Sequence, residues 1–367
     1  MLRTKSFNLL FLFILIFYVH NLYALKEFSI SAIFETPQVK FNGNADDPAI
    51  WLNKNDPNLS IIFGTDKYNG IYSYNLKGET IGFSNAGSIN NIDLRTHNDM
   101  TYIFGTDSAN NNINVWVYKN SYLHQKSMEG DFSIDEEPHF FDKVNFLAYG
   151  VCGGLINNRE IIMFVTEAKG PRVKLWKFSN NNLEIINTFN NSNASESEGC
   201  VFDDENSTLF ISEENVRGNL KAYKFDKNFD FVGKPFLIDS RRGQIFGDPE
   251  GVSIYKTDKN DGYIILSSQG DGKFNIYNRQ APYGFISSFK IIGNGSIDGV
   301  SDTDGIETLN YNLKCKENNN QLDFCDDFPL GVMIVQDGYN YTGENKVNQN
   351  FKLVSFEQIL DNLDVTR

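Results

Sequence analysis

Apolar residues in this chain fall in short runs rich in Phe, Tyr, Ile and Val, and turns of Asn, Gly and Asp break them up. Ile61-Ile62-Phe63-Gly64-Thr65-Asp66 is followed by Ile71-Tyr72-Ser73-Tyr74, and Thr208-Leu209-Phe210-Ile211-Ser212-Glu213 by Leu220-Lys221-Ala222-Tyr223. Runs of this length and composition, punctuated in this way, predict β-strands. Helical periodicity is nearly absent; Phe356 to Leu363 predicts one turn or two. The leading segment Glu27 to Val39 has strand character.

A second pattern lies over the first. Six times a short phrase opens a new group of strands: Asp46-Asp47-Pro48-Ala49-Ile50, Asn91-Ile92-Asp93-Leu94, Tyr149-Gly150-Val151, Glu198-Gly199-Cys200-Val201, Pro249-Glu250-Gly251-Val252 and Asp304-Gly305-Ile306-Glu307. The spacing, about 45 to 58 residues, is that of propeller blades. A unit of three or four short strands cannot bury both its faces alone, so such units stack around an axis. The expected fold is all-β, a six-bladed β-propeller forming one domain over residues 25–367, since no Pro-, Ser- or Gly-rich linker divides the repeat. Closure should use Glu27 to Val39 to complete the last blade and remove an exposed edge. Because the acidic phrase recurs at one place in each unit, a closed ring gathers all six phrases at one end of its axis.

Residues 1–24 stand outside that repeat. Arg3 and Lys5 precede a nearly continuous apolar stretch from Phe7 to Val19, and Leu22-Tyr23-Ala24 offers a small residue for cleavage. This reads as a secretory signal peptide, too short in its apolar run to span a bilayer comfortably. The expected location is exported, periplasmic or extracellular, with no membrane association after cleavage. Removing Arg3 and Lys5 takes the formal charge from −14 to −16. Such a chain is a poor partner for nucleic acid, whose phosphates are bound by Lys and Arg, and a good partner for cations. The chain has four cysteines. Cys315 and Cys325 flank a polar insertion and most simply staple it. Cys152 and Cys200 occupy equivalent places in adjacent units and either bridge or stay as buried thiols. No CxxC pair exists and the four histidines are dispersed, so zinc spacing is absent and a metal site would be built of oxygen.

Asp248 and Glu250 are separated by Pro249 alone, so in an extended segment both carboxylates face one centre. Asp298, Asp302 and Asp304 crowd another short stretch. An EF-hand reading of it fails, because Val300 would take the first ligand position and Tyr311 the twelfth. Asp46, Asp47, Glu198, Glu213, Glu214, Gln269 and Asp337 add oxygen donors at comparable places, and hard oxygen ligands in this number select calcium. Lys67 and Lys169 each follow the second strand of a unit. Beside several metal ions they would make an anion site suited to a phosphate-bearing ligand, with a metal-bound water as nucleophile.

These residues resemble the β-propeller phytases. The likeness is carried by Asp46-Asp47-Pro-Ala-Ile-Trp51, Asn90-Asn91-Ile-Asp93-Leu-Arg95, Glu198-Gly-Cys-Val-Phe-Asp-Asp204-Glu205 with Glu213-Glu214, and Asp248-Pro-Glu250-Gly. Ser267-Ser-Gln269-Gly, Ser301-Asp-Thr-Asp304-Gly-Ile, Gln336-Asp337-Gly and Asn348-Gln-Asn-Phe-Lys352 continue it in order over nearly the whole chain after residue 24. The resemblance implies a calcium-dependent 3-phytase-type hydrolase that releases phosphate from myo-inositol hexakisphosphate (phytate) or its calcium salt, with several calcium ions. It implies a central calcium cluster at Asp46, Asp47, Glu198, Glu214, Asp248, Glu250, Gln269, Asp298 and Asp304, with the backbone at Ile92 and the side chains of Glu35 and Asp337 as further ligands. Tyr149 matches a tyrosine shared between metal and phosphate, and Lys67 and Lys169 match phosphate-binding lysines. Glu198, Asp248, Tyr149 and Lys67 are then the residues nearest the chemistry.

Two departures stand out. A second lysine expected after Lys67 is Tyr68, and a phosphate-binding arginine expected in a Ser-Asn-Arg turn aligns with Thr106-Asp107-Ser108. Arg172, three residues after Lys169, is the cation available to compensate. Two other functions compete: a calcium-dependent propeller lactonase, which would use a base such as His, and a non-catalytic calcium-stabilised binding propeller. His20, His97, His124 and His139 lie in the leader or in loop contexts, which disfavours the lactonase. A closed propeller has no evident need of oligomeric partners.

Overall fold

The computed structural model describes residues 27–40, 43–157, 159–192, 194–214, 218–313 and 327–363. The leader and the Cys315–Cys325 loop lie outside them. The described chain forms six radial sheets and one short hairpin. Blade one runs Ala45–Trp51, Ile61–Asp66, Gly70–Tyr74 and Thr80–Ser84 from the axis outwards. Blade two (Ile89–His97 to Phe140–Lys143), blade three (Ala148–Ile156 to Asn182–Asn190) and blade four (Ser197–Asp203 to Phe236–Ser240) repeat that antiparallel order. Blades five and six begin with Pro249–Lys256 and Ile306–Leu309. Their innermost strands touch one another in chain order, and that of blade six closes on that of blade one. The fold is the expected six-bladed propeller.

The apolar runs are continuous because each blade is packed on both faces. Alternation within Ile61–Asp66 sends Ile62 towards blade six, among Tyr74, Ile334 and Phe351, and Phe63 towards blade two, among Trp51, Ile89 and Trp116. Six apolar clusters fill the six junctions between blades, with Trp176, Phe202, Tyr277 and Phe289 among the large side chains in the other four. Burying one such side chain is worth about 1.5–3 kcal/mol, so every junction contributes and no separate core is needed. Cys152 and Cys200 form a disulfide across the junction of blades three and four, which settles the open alternative for that pair.

The start of the chain differs from expectation. Phe34–Glu35 completes blade six, pairing antiparallel with Asn350–Ser355, but Glu27–Ile30 adds a parallel fifth strand to blade five. Phe28 stacks on Phe289 of that blade with ring centroids 5.5 Å apart. Between the two strands, Ser31 is held by Gln358, which accepts from its N–H and donates to its carbonyl. Gln358 sits on the helix Phe356–Asn362, the one foreseen at the tail. A second helix, Asn120–Glu129, was not visible in the sequence because only Leu123 and Ser127 of it are buried, leaving no apolar stripe to detect. It is fixed instead by polar contacts, Asn53 Nδ2 lying 3.1 Å from Ser127 Oγ. No helix among the described residues is long and apolar enough to cross a membrane.

Candidate functional site

The repeated phrases become one construction. In blades one to five the innermost strand starts with a bulge, the register slipping between Ala45 and Pro48, Ile89 and Ile92, Ala148 and Val151, Ser197 and Cys200, and Pro249 and Val252. The residues inside those bulges are Asp46-Asp47, Asn90-Asn91, Tyr149-Gly150, Glu198-Gly199 and Glu250-Gly251. A bulge removes two residues from the ladder and re-aims their side chains, here towards the axis. Blade six places Asp304-Gly305 directly before its innermost strand. The glycines let neighbouring blades approach. The N–H groups of Gly251 and Gly305 donate to the carbonyls of Asp304 and Asp46, each at 2.9 Å, and a Cβ on either glycine would come within 2.6 Å of the same oxygen.

A set of hydroxyls joins the blades around the ring, and sequence reasoning missed it. Thr65 Oγ1 donates to the Asn90 carbonyl at 2.8 Å, Thr166 Oγ1 to Glu198 at 3.1 Å and Ser267 Oγ to Thr303 at 2.7 Å. Thr106 and Ser212 reach Tyr149 and Glu250 in the same way. In blade six Gln336 takes this place, its Nε2 donating to the Ala45 carbonyl of blade one at 3.1 Å. The signal was present: in blades one to four these residues stand one before the acid that ends the second strand, as in Thr65-Asp66 and Ser212-Glu213.

Asp46, Glu198 and Glu250 are almost completely buried at the end of the axis. Carboxylate oxygens of Glu198, Glu214 and Glu250 lie within 4.8 Å of one another. Lys67 Nζ is 3.0 Å from Asp46 Oδ1 and 3.3 Å from Asp304 Oδ2, and Gln269 Nε2 donates to Asp304 Oδ1 at 2.5 Å. Burial, opposed in part by Lys67, pushes Asp46 up to about 8. Burial and nearby carboxylates likewise hold Glu198 and Glu250 well above the usual range, and raise Glu214 to about 6. Burial opposes the charge on Lys67, yet Asp46, Asp304 and Glu198 keep it well above its ordinary value. The Tyr149 phenol is pushed up by burial and by Glu198 and Glu250, so it stays protonated. Asp46 Oδ2 and Glu198 Oε2 are buried without a hydrogen-bond donor, and Asp46 Oδ1 meets only the Lys67 ammonium. Unsatisfied anionic oxygens converging at this density fit a hard divalent cation such as calcium.

Other expected ligands fall elsewhere. Asp47 accepts from the Ile92 N–H at 3.1 Å and faces the narrow central cavity. Asp248 pairs with Arg241 at the rim, where its charge still reaches Glu214; the bulge after Pro249 breaks the alternation that would have aligned Asp248 with Glu250. Asp298 lies in a separate group. Together with Asp337 and Glu35 it surrounds the buried Lys352, whose Nζ is 2.7 Å from Asp337 and 4.0 Å from Glu35 and also pairs with Asp298. Glu213 is internal, accepting from the Ser195 N–H at 3.1 Å and from Asn219. Lys169 is exposed in a left-handed conformation at φ 58°, and Arg172 pairs with Glu167. His97, His124 and His139 are engaged by Asn98, Asn53 and Asp135.

The model of the family described as Phytase matches residues 1–128 and 184–367. A 3-phytase of Bacillus subtilis (strain 168) is 29% identical over 357 residues, covering 92% of this chain and 86% of its own length. A gluconolactonase of Xanthomonas campestris superposes with a TM-score of 0.51 at 9% identity, over 89% of this chain and 96% of that one. At that identity the likeness extends to the propeller fold alone.

Proposed function

The chain belongs to the phytase family, and from that premise we propose that this 3-phytase-type hydrolase is calcium-dependent and releases phosphate from myo-inositol hexakisphosphate, presented free or as its calcium salt. The observation that carries the reading is the convergence of buried carboxylate oxygens on Asp46 and Glu198 that Lys67 alone does not satisfy. Asp46, Glu198, Glu214, Glu250 and Asp304 would hold the ions, with Gln269 orienting Asp304. Bound calcium would neutralise phosphate charge and lower the pKa of a coordinated water.

The chain's own groups do the rest. Lys67 is kept charged at the mouth of the cluster, where its ammonium can take a phosphoryl oxygen and stabilise the charge that grows there. Tyr149 remains a neutral phenol within hydrogen-bonding reach of Glu198, able to fix that carboxylate or to donate to the substrate. Lys169 stands at the rim for a phosphate further out. Asp47 with the Ile92 backbone, and Asp298, Asp337 and Glu35 around Lys352, are candidates for separate structural ions; Asp248 would have to leave Arg241 to join the central cluster. No serine, histidine or cysteine nucleophile is needed. The leader supports export, to a compartment where the Cys152–Cys200 bridge persists.

Phosphate release from calcium hexakisphosphate, measured with and without chelator, tests the reading. Turnover that requires calcium supports it. Turnover undiminished by chelator, or absent with calcium present, overturns it.

A further inference from the structure

At its end remote from the carboxylate cluster, blade four carries an unbroken run of exposed residues, Phe231-Val232-Gly233-Lys234-Pro235-Phe236-Leu237. The pairing of its strands fixes that location. Ser197, Glu213, Asn219 and Ser240 lie abreast at the cluster end, where Glu198 follows Ser197. Asp203, Thr208 and Lys224 lie abreast at the other end, and the run follows the turn after Lys224. From Glu198 to Asp203, at about 3.3 Å per residue, the two ends stand roughly 15 Å apart.

Single exposed apolar residues need no explanation, but several together mark a contact surface. Phe231, Val232, Phe236 and Leu237 are each 41–55% exposed. They are held rather than loose. The Val232 N–H donates to the Lys224 carbonyl at 2.8 Å and the Asp226 N–H to the Asp230 carbonyl at 2.9 Å, closing a tight turn in which Phe229 is buried. Phe231 packs edge-on against Phe189 and Phe236 against Tyr283, with ring centroids 4.8 and 5.6 Å apart. The apolar surface is therefore preformed, so little entropy is lost when it binds. A Cβ on Gly233, at φ 81°, would meet nothing within 4 Å, so the loop projects into open space.

Charge selects the partner. Lys224, Lys227 and Lys234 are all exposed. From Lys224 to Leu237 these three lysines stand against Asp226 and Asp230, a net charge of +1 in a chain of −14. Asp226 is also engaged internally, accepting from the N–H groups of Asn228 and Asp230 at 2.8 and 3.0 Å. Apolar side chains flanked by lysines, whose stems can lie along them, fit the boundary between acyl chains and phosphate headgroups. A second copy of the chain would instead set lysines against lysines and one strongly acidic body against another.

We propose that this loop is a peripheral docking site for an anionic phospholipid bilayer. Phe231, Val232, Phe236 and Leu237 enter the headgroup boundary, and Lys227 and Lys234 meet lipid phosphates. Docked in this way, the cluster end of the propeller stays clear of the surface and open to dissolved substrate. The contact needs no spanning segment, and it departs from the expectation of no membrane association after leader cleavage.

The test sediments the exported chain, its leader removed, with vesicles of phosphatidylcholine alone or mixed with phosphatidylglycerol, in calcium and in chelator. Wild type should bind the anionic vesicles at least about tenfold more tightly in both media, and less tightly as salt rises. The pairs Val232→Ser with Leu237→Ser and Lys227→Gln with Lys234→Gln should each weaken that binding at least about tenfold. Melting temperature and phosphate release in solution should stay at wild-type values in both. No wild-type binding, equal binding to the two vesicle types, or pair variants that bind as wild type does would overturn the proposal. So would binding that only calcium supports, since the acidic cluster would then be bridged to lipid phosphates by the metal. Light scattering covers the remaining occupant: a wild-type dimer that the Val232→Ser and Leu237→Ser pair dissociates would make this surface an interface between copies and overturn lipid docking.

Discussion

The Lys67 ammonium stands 3.0 Å from Asp46 Oδ1, a buried oxygen with no other donor on it. This contact is the cluster's one close counter-charge among the described residues. Asp46, Glu198, Glu214, Glu250 and Asp304 converge there, and two ionised groups at 4.8 Å, the span of the three glutamates, repel by on the order of 3 kcal/mol in a medium of dielectric about 20. One lysine cannot offset several such pairs. The ring therefore carries an electrostatic deficit built in by its own bulges, and a bound cation is the simplest way to remove it.

Metal removal should consequently depend on pH. A carboxyl whose folded value is raised binds its proton more tightly in the folded state, so stability is fullest below the ordinary carboxylate range and falls as pH rises through the folded value. With Glu214 at about 6 and Asp46 at about 8, the melting temperature in chelator should fall between about pH 4.5 and 8. Excess calcium should raise it by several degrees at the upper end and flatten the slope. Melts across that range check both; identical curves with and without calcium would remove the cluster as a metal site.

Glu198→Gln keeps the shape of a ligand and deletes a charge. Turnover should fall by at least about a hundredfold, the scale of losing one well-placed electrostatic contribution. The same variant should melt higher than wild type in chelator, since one repelling carboxylate is gone, and should gain less from calcium. That combination separates a lost ligand from a damaged fold. Wild-type phosphate release by the folded variant would take Glu198 out of the site.

Much of this was legible in the residues. Period and turn residues announced the blades, because a strand buried on both faces is apolar on both, as Ile61-Ile62-Phe63 is. The convergence of Asp46, Glu198, Glu250 and Asp304 followed from their shared place in the repeat. The partners of Asp248 and Asp298 were not legible for a common reason: simple alternation cannot register a bulge, and a recurring acid does not reveal that Arg241 or Lys352 pairs with it. Glu27–Ile30 went to blade five because strand character says nothing about which edge lies open. The hydroxyls of Thr65, Thr106, Thr166 and Ser212 were in view but read as ordinary strand residues, since their partners belong to the next blade.

Those hydroxyls should matter to stability. Thr166 Oγ1 accepts from the Gly150 N–H at 2.9 Å and donates to the Glu198 carbonyl at 3.1 Å, all within buried structure. Thr166→Val preserves volume and strands both backbone groups, at a cost of about 2–4 kcal/mol in total. Denaturant midpoints should show that loss, and Thr166→Ser should recover most of it. A valine variant as stable as wild type would mean that water replaces the bridge and that the ring of hydroxyls is incidental.

Ser108 sits where the resembling family carries a phosphate-binding arginine, and here it is exposed, its N–H and Oγ both donating to the Ser88 carbonyl at 2.9 and 3.1 Å. The same turn supplies Asn110 and Asn111 to an open groove where blades two and three meet. An arginine at 108 can extend over the rim without displacing a packed side chain. Ser108→Arg should lower KM for calcium hexakisphosphate with a much smaller change in kcat, because binding gained equally in ground and transition states appears in KM alone. An unchanged KM would show that position 108 does not reach the substrate.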